Sequence, residues 1–370
     1  MHLARPRDII KGERMKVKNS HSILILFFIL FAASACSSQP EEFESVVFSP
    51  DGEYVAAGSS DSKVRVWNAD TGELIYTLSG HSRSVSDVAF SPDGSMLASG
   101  SVDETAVFWD VATGKKIHVF KPEHIIQGNT ESLVVIYSVA FSPDGKWFAA
   151  GSDPSTIHIW DTNSRELVKI LDVSKSSANL LLDQSSPHGI EFSPDGSFLA
   201  AFTWGSTSGP YLWETKNFEM TPVGPVDEDS VEAFAISPDS KTIATSKDEG
   251  VGGINTIELW DVLSGQMIKR WKATEYKTAS RAITYSPDGK IIAYGDFEKM
   301  FTLRDANTGK AISLDVELPA KGIPPSNTDF IIPSSIAFSP DGTRVAVSAN
   351  FSILGVWDVK SGRLLWQFVQ

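Results

Sequence analysis

Phe48-Ser49-Pro50-Asp51-Gly52 is the first of seven near-identical stretches in this chain of 370 residues, and each follows a short apolar run. The prolines of the later copies are Pro92, Pro143, Pro194, Pro238, Pro287 and Pro340. Only the fifth copy departs from the pattern, with Ser240 in place of the glycine. Proline presets φ and glycine tolerates a left-handed conformation, so the chain reverses direction at each copy. A repeat with a period of roughly 40 to 50 residues indicates a repeat architecture.

A second signal accompanies each turn, about 17 residues after the proline, where an aromatic residue usually precedes an acidic one. The seven pairs are Trp67-Asn68, Trp109-Asp110, Trp160-Asp161, Trp213-Glu214, Trp260-Asp261, Leu303-Arg304 and Trp357-Asp358. The sixth pair lacks the aromatic residue.

The second copy is the most regular and predicts four short strands, at residues 85–90, 96–100, 105–109 and 116–120. Turn residues separate these strands, as in one antiparallel sheet. A single sheet of this size cannot bury both faces, so neighbouring copies have to stack on it. We therefore predict an all-β fold, a seven-bladed β-propeller in which each blade is a four-stranded antiparallel sheet.

The first copy starts with its innermost strand, at residues 44–48, and the last copy ends with its own outermost strand, at residues 364–369. No strand is left over to pair across the junction. We therefore predict that the ring closes by packing of the first blade on the seventh, without strand exchange.

These repeats resemble the WD-repeat family, whose blades carry a Gly-His and a Trp-Asp about 30 residues apart. The full pattern here is Gly80-His81 with Trp109-Asp110. The resemblance implies a structural hydrogen-bond network made by His81, Ser99, Asp103 and Trp109, with no catalytic role. Other blades depart from the family pattern: the first has Ala57 where the second has Ser99, and no Gly-His before it. The resemblance covers about residues 43–370.

Residues 1–35 are predicted to be an export signal. A basic segment precedes an apolar run at residues 23–32, and Ala33-Ser34-Ala35 follows. This order is typical of a secretory signal peptide, and the run is too short to cross a bilayer. Met15 is a second possible start, because Met15-Lys16-Val17-Lys18 is a common way for such signals to begin.

Cys36 is the single cysteine of the chain and would become the first residue after cleavage. The segment resembles the lipobox of bacterial lipoproteins, which implies that Cys36 is lipidated. The alternative is ordinary cleavage that leaves a free thiol on a secreted protein. We therefore expect a signal peptide (1–35), a short linker (36–42) and the propeller (43–370), lipid-anchored to the cell membrane or outer membrane and facing outside the cytoplasm.

The charge excludes some partners. The net charge of the chain is −14, and residues 1–35 are basic, so the remainder is more acidic still. Nucleic acids and anionic lipid headgroups require a basic surface, which this chain lacks. We expect no nucleic-acid partner, and membrane contact only through the lipid on Cys36.

The longest connections join an outer strand to the next inner strand, at residues 121–133, 172–187 and 314–333, and two further loops lie between second and third strands. In an up-and-down blade both classes leave from the same face, which we expect to bind protein partners. Candidate contacts are Trp204, His124 and His188. Trp204 could equally fold back onto its blade, and the histidines could be solvated loop residues. We predict no metal and no cofactor.

The leading functional hypothesis is a non-enzymatic, membrane-tethered interaction scaffold, with a component of an envelope assembly complex as a special case. The alternative is a propeller enzyme or ligand-binding protein, lactonase-like or quinoprotein-like, that uses the central channel. Such a site requires carboxylates, histidines or arginines from several blades. Arg83, Asp87 and Glu191 flank the inner strands, but the sequence does not connect them.

Overall fold

The computed structural model describes residues 42–122, 134–153, 155–173, 186–203, 211–221, 230–248, 255–273, 281–319 and 331–369. Within these ranges the chain forms seven four-stranded antiparallel sheets, each built from four strands that are consecutive in sequence. This confirms the predicted all-β propeller with four-stranded blades. In the described part of the chain, no helix is long and apolar enough to span a membrane.

The strands of each blade run from the ring axis outwards. Blades 1 to 3 consist of β1 Phe43–Phe48, β2 Tyr54–Ser59, β3 Lys63–Asn68, β4 Leu74–Ser79; β5 Val85–Phe90, β6 Met96–Ser101, β7 Ala106–Asp110, β8 Lys116–Phe120; and β9 Ile136–Phe141, β10 Trp147–Ser152, β11 Thr156–Asp161, β12 Leu167–Asp172. Blades 4 and 5 consist of β13 Pro187–Phe192, β14 Phe198–Thr203, β15 Tyr211–Glu214, β16 Glu219–Thr221; and β17 Ser230–Ile236, β18 Thr242–Asp248, β19 Thr256–Asp261, β20 Met267–Lys272. Blades 6 and 7 consist of β21 Ile283–Tyr285, β22 Ile291–Asp296, β23 Met300–Asp305, β24 Ala311–Ile312; and β25 Pro333–Phe338, β26 Arg344–Ala349, β27 Ile353–Asp358, β28 Leu364–Val369.

The core lies between the blades. Each of the seven junctions has its own cluster of buried apolar side chains, drawn from the two sheets that face one another. The inner strand of each blade also contacts the inner strand of the next, and β1 contacts β25, so the ring is closed. Apolar burial between sheets therefore supplies the stability that a single blade lacks.

Among the described residues, the ring closes without strand exchange, as predicted, because β1 pairs with β2 and the pairing partner of β28 there is β27 alone. Aromatic packing holds the junction: the ring of Phe368 lies 5.3 Å from that of Trp67 and 6.0 Å from that of Phe43. Polar contacts support it, since Ser334 Oγ donates to the carbonyl of Phe43 at 2.8 Å. Blade 7 and blade 1 are joined by side chains, and no shared backbone ladder is needed.

The Ser-Pro-Asp-Gly turns are stabilised by their own side chains. In the first turn Ser49 Oγ donates to Asp51 at 2.5 Å and accepts from the backbone N–H of Tyr54 at 2.9 Å. Gly52 has a φ of 75°, which explains the glycine. Ser240 adopts a φ of 59° in the fifth turn, so the same geometry persists there at some cost in strain. These turns mark one end of the ring, which we call the turn end.

The opposite end, which we call the mouth end, is where inner strands begin and where second strands connect to third strands. Most of residues 121–133, 172–187 and 314–333 lie outside the described residues, as do residues 204–210 and 249–254. The predicted long-loop face corresponds to the mouth end.

Candidate binding site at the channel mouth

The blade-2 side chains singled out from the sequence meet in one hydrogen-bonded network. The imidazole of His81 lies with Nδ1 3.1 Å from Asp103 Oδ2 and Nε2 2.7 Å from Ser99 Oγ. Trp109 Nε1 donates to the same Ser99 oxygen at 2.8 Å. Asp103 also accepts from the hydroxyl of Thr105 at 2.6 Å. The structure therefore brings His81, Ser99, Asp103 and Trp109 together inside blade 2.

The electrostatics of this network suit packing better than nucleophilic chemistry. Burial lowers the pKa of His81 more than the Asp103 carboxylate raises it. For Asp103, burial raises the pKa, but hydrogen bonds from Thr105 and Ser82 and the proximity of His81 outweigh it, and the pKa is lowered. Ser99 is fully buried, so its hydroxyl cannot reach a substrate. The serine satisfies an indole and an imidazole that would otherwise be buried without a partner.

Blades that depart from the pattern replace this network by other contacts. In blade 1 the guanidinium of Arg65 pairs with Asp61 through two hydrogen bonds of 2.5 and 3.1 Å. In blade 6, Arg304 donates from Nε to the hydroxyl of Tyr294 at 2.8 Å. In blade 7 the indole of Trp357 donates to the carbonyl of Glu317 at 2.7 Å. The polar contacts that replace the blade-2 network therefore differ from blade to blade, while the four-stranded sheet stays the same.

A second constellation lies at the mouth end, where the inner strands carry β-bulges at equivalent positions. In six blades the register skips one residue near the start of the inner strand. Bulges re-aim a side chain at the rim of a barrel or beside a site. The skipped residues, with Arg281 at the same position of blade 6, are Glu44, Ser86, Tyr137, His188, Glu232, Arg281 and Ser334.

Arg281 connects several members of this ring. Its Nε lies 3.9 Å from Glu232 Oε2, and its charge acts on Glu42, Glu44 and His188. Residues from blades 1, 4, 5 and 6 therefore share one space around the ring axis. We call Glu42, Glu44, Tyr137, Asp153, His188, Glu232 and Arg281 the channel mouth.

Burial decides the ionisation of the channel mouth. It raises the pKa of Glu44 to about 7, with a contribution from the neighbouring carboxylate of Glu42, against the opposing charge of Arg281. It also raises the pKa of Glu42, which Arg281 again opposes. Burial and the charge of Arg281 together lower the pKa of His188 to about 4, so the imidazole is neutral at pH 7. At neutral pH the mouth therefore combines a Glu44 carboxyl group close to half ionisation and a neutral His188 imidazole with the guanidinium of Arg281.

An aromatic pair forms one side of the mouth. The rings of Tyr137 and His188 lie with centroids 4.0 Å apart and planes inclined by 31°. The hydroxyl of Tyr137 donates to Asp153 Oδ2 at 3.1 Å. Burial raises the pKa of Asp153 in spite of this hydrogen bond. The carboxyl group of Asp153 is therefore hydrogen-bonded to the phenol hydroxyl of this aromatic pair.

Two further carboxyl groups lie deeper along the inner strands. Asp87 accepts from Ser45 Oγ at 2.7 Å, from Ser138 Oγ at 2.9 Å and from the N–H of Val139 at 2.9 Å, so it joins blades 1, 2 and 3. Glu191 accepts from the N–H of Ile236 at 3.2 Å, and burial raises its pKa to about 8. The sequence placed both residues beside inner strands without any connection, and the structure supplies the connections.

Of the other residues that the sequence suggested as functional, one lies in the channel mouth and three lie outside the described residues. His188 lies in the channel mouth, whereas His124, Trp204 and Cys36 lie outside the described residues, so the predicted pairing of the two histidines stays a prediction. Among the residues that the structure describes, no group of three His, Cys, Asp or Glu side chains could hold a metal ion. Arg281, Glu44, Glu232 and Tyr137 were missed. The signal that could have revealed them is position: each precedes the serine of its Ser-Pro turn by five residues.

Comparison with known proteins agrees with this architecture. The model of the WD40 family (WD domain, G-beta repeat) matches residues 40–68, 72–110 and 120–161, which fall in blades 1 to 3. Protein HIR1 of Candida albicans is 25% identical over 353 residues, which cover 87% of this chain and 36% of that protein. Periodic tryptophan protein 2 of Saccharomyces cerevisiae is 31% identical over 275 residues, covering 70% of this chain and 28% of that protein.

Telomerase protein component 1 of Rattus norvegicus is 26% identical over 240 residues, 62% of this chain and 8% of that protein. The chain thus spans about a third or less of the length of these relatives. The similarity follows the repeats that build the blades. The first three blades are WD40 repeats, and through them the chain belongs to the WD40-repeat family.

Proposed function

We propose that this propeller is a non-enzymatic scaffold that binds a protein partner at its mouth end. The observation that carries the proposal is the convergence of chemically different side chains from five blades on the channel mouth. Rigid sheets hold these side chains, and the β-bulges direct them to one end of the ring. A rigid platform of this kind lowers the entropic cost of binding a partner. The WD40 relatives favour the same function by analogy.

We infer further that the propeller is tethered to a membrane, outside the cytoplasm, through a lipid on Cys36. The support is the order of charged, apolar and small residues before this single cysteine. Glu42, the first described residue, precedes β1 at the mouth end. Six Cα–Cα steps lead from Cys36 to Glu42, and fully extended they span about 20 Å at most. Such a tether holds the mouth end towards the bilayer, which favours a partner in or near the membrane.

Site-specific photo-crosslinking in the native membrane tests the scaffold function. A photoreactive residue at Ser86, which shares the bulge position of the channel mouth, should capture one protein in stoichiometric yield. The matched control is Leu263, which is 97% exposed at the turn end and should capture little. Equal labelling from both positions, or none from either, would contradict the proposal.

Metabolic labelling with an alkyne fatty acid tests the tether. The wild-type chain should incorporate the label and fractionate with membranes, and Cys36→Ala should lose both properties. A Ser37→Ala variant serves as the control for a general effect on processing. A wild-type chain that stays unlabelled and soluble would disprove the tether without affecting the scaffold proposal.

A further inference from the structure

Glu191 occupies an inner-strand position that holds an uncharged residue in each of the other six blades. The equivalent residues, each opposite an alanine of the second strand, are Val47, Ala89, Ala140, Ala235, Thr284 and Ala337. Glu191 lies opposite Ala200, which belongs to the apolar cluster between blades 4 and 5. Its Oε2 accepts from the backbone N–H of Ile236, on the inner strand of blade 5, at 3.2 Å. A carboxyl group therefore bridges the junction between blades 4 and 5, which we call the seam.

Apolar packing is least extensive at the seam. Among the described residues its cluster has five buried members, whereas the clusters of the other six junctions have nine to thirteen. The inner strands β13 and β17 are also in less extensive contact than any other two neighbouring inner strands. Burial of apolar surface holds the blades together, so the seam is the junction that costs least to separate.

Blade 5 places buried charged side chains on the face that it turns towards the seam. Lys247 and Glu258 are 1% and 3% exposed. Lys247 shares one face of β18 with Ile243 of the seam cluster, and Glu258 lies on the same side of the sheet, opposite Thr245. Glu258 pairs with Arg270 at 3.3 Å. Removing charges from water is costly even when they are paired, so these side chains stabilise the closed seam less than apolar residues of similar size would.

The turn of blade 5 beside the seam is the one in which serine replaces glycine. Ser240 keeps the left-handed φ of 59°, at some cost in strain. Its hydroxyl accepts from the backbone N–H of Asp195, in the turn of blade 4, at 3.1 Å. Glycine cannot make this hydrogen bond. Polar contacts of Ser240 and Glu191 therefore help to close the seam where apolar packing is least extensive.

We propose that the ring opens at the seam, and that the proton on Glu191 holds the seam closed. Burial raises the pKa of Glu191 to about 8, so its carboxyl group is protonated in the closed ring at pH 7. Opening admits water, which stabilises the ionised carboxylate. Loss of the proton therefore favours an open form, in which blades 4 and 5 separate while the other six junctions stay packed. This inference goes beyond the scaffold function and does not depend on it.

Other titratable groups lie around Glu191 on the neighbouring elements. Burial raises the pKa of Tyr285, on blade 6, to about 12, with contributions from the charges of Asp239 and Glu191, so its hydroxyl stays protonated. Burial also raises the pKa of Asp195, but hydrogen bonds within its turn outweigh it, and hydrogen bonds likewise lower the pKa of Asp239. Neither the tyrosine nor these two aspartates change ionisation between pH 6 and pH 8.

Thiol labelling of a matched set of alanines tests the proposal on the full-length chain. Each second strand has a fully buried alanine at the same position, and each of the seven belongs to the cluster of a different junction: Ala56, Ala98, Ala149, Ala200, Ala244, Ala293 and Ala346. Each is replaced by cysteine in a Cys36→Ala background, which leaves the new cysteine as the single thiol. Circular dichroism verifies that each variant has folded.

The rate of alkylation at pH 7 reports how often each junction opens. The thiol of Ala200→Cys should react about tenfold faster, or more, than any of the other six, because its junction opens without global unfolding. Equal rates for all seven variants, as global unfolding would give, would overturn the proposal. So would a faster rate at any other junction.

The pH dependence of the same label tests the role of Glu191. Rates are divided by that of an unstructured cysteine peptide at each pH, which removes the titration of the thiol itself. In Ala200→Cys the ratio should rise by about tenfold or more between pH 6 and pH 8, because the open form releases the Glu191 proton at lower pH than the closed form does. Adding Glu191→Gln should abolish the rise, whereas adding Glu44→Gln should retain it. Lys247 and Glu258 also face the seam, and a rise that persists in Glu191→Gln would assign it to such groups and contradict the role of Glu191.

Discussion

The indole Nε1 of Trp366, on the outermost strand of blade 7, donates a hydrogen bond of 2.8 Å to the backbone carbonyl of Ala69 in blade 1. Almost 300 residues separate the two in sequence. Gly72, in the same turn as Ala69, approaches the Trp366 ring so closely that a Cβ there would lie 2.8 Å from it. The last strand therefore closes the ring through a side chain that reaches across the junction.

The hydrogen bond from Trp366 to Ala69 allows a prediction of how much stability the protein loses when the junction between blades 7 and 1 is weakened. Trp366→Phe keeps most of the apolar contact and removes the donor, so the free energy of unfolding should fall by about 1 kcal/mol. Trp271→Phe is the matched control, since the buried Nε1 of Trp271 has no hydrogen-bond partner among the described residues. Urea unfolding of both variants measures the difference. An equal loss for the two would show that ring size, not the hydrogen bond, is responsible.

In the blade-2 network, Ser99→Ala should lower the free energy of unfolding more than Trp366→Phe does. The substitution leaves the indole N–H of Trp109 and the Nε2 of His81 without their common partner in a buried site. We expect a loss of about 1–3 kcal/mol in the free energy of unfolding. Ser348→Ala is the control, because its buried hydroxyl has no partner in the described structure and should cost much less. Comparable losses at both positions would argue against the network.

From the contacts of Asp87 we predict that its carboxyl group holds three blades together. In Asp87→Ala the hydroxyls of Ser45 and Ser138 and the N–H of Val139 lose their acceptor. The expected loss is about 2–4 kcal/mol, with faster hydrogen exchange in β1, β5 and β9. Ser86→Ala, one residue earlier, provides the control. Faster exchange confined to β5 would show that Asp87 acts within its own blade only.

The free energy of unfolding should fall as the pH rises through neutrality. Folding raises the pKa of Glu191 to about 8 and of Glu44 to about 7. The unfolded chain therefore loses these protons at lower pH than the fold does. The stabilisation is complete below pH 4, and it is lost as the pH rises through 7 and 8. The melting temperature should accordingly fall between pH 5 and pH 8.

Two substitutions separate this effect from the general charge of the protein. Glu191→Gln imitates the protonated carboxyl group, so it should reduce the fall in melting temperature. Asp288 has a pKa lowered to about 2 by hydrogen bonds from Ser286 and Lys290, the opposite direction. Asp288→Asn should therefore lower stability by a constant amount above about pH 4, with the difference from wild type disappearing as the pH falls towards 2, and leave the slope between pH 5 and pH 8 unchanged. An unchanged slope in Glu191→Gln would mean that other groups control the pH dependence.

The fold could be predicted because its determinants are local. Pro50, Asp51 and Gly52 specify a turn through φ preferences and short-range hydrogen bonds, and seven repetitions leave a radial stack of sheets as the way to bury both faces. Four strands could be assigned within the first repeat and within the last, which predicted closure without exchange for the same reason. Strand limits differed by a residue, as in β6, which extends to Ser101.

The channel mouth could not be predicted in this way, because it depends on which residues are near one another in space. Glu44 and His188 lie about 140 residues apart in sequence, and His188 and Arg281 about 90. A one-residue bulge in the inner strands of blades 1 and 4 re-aims the side chains of Glu44 and His188. The pKa values of Glu44 and His188 are set by burial and by neighbouring charges, neither of which is a property of the residues alone. The sequence alone determined the repeat, the turns and the number of blades, since these follow from local conformational preference. The tertiary structure decided which charges meet at the ring axis, because burial and distance exist only once the ring has closed.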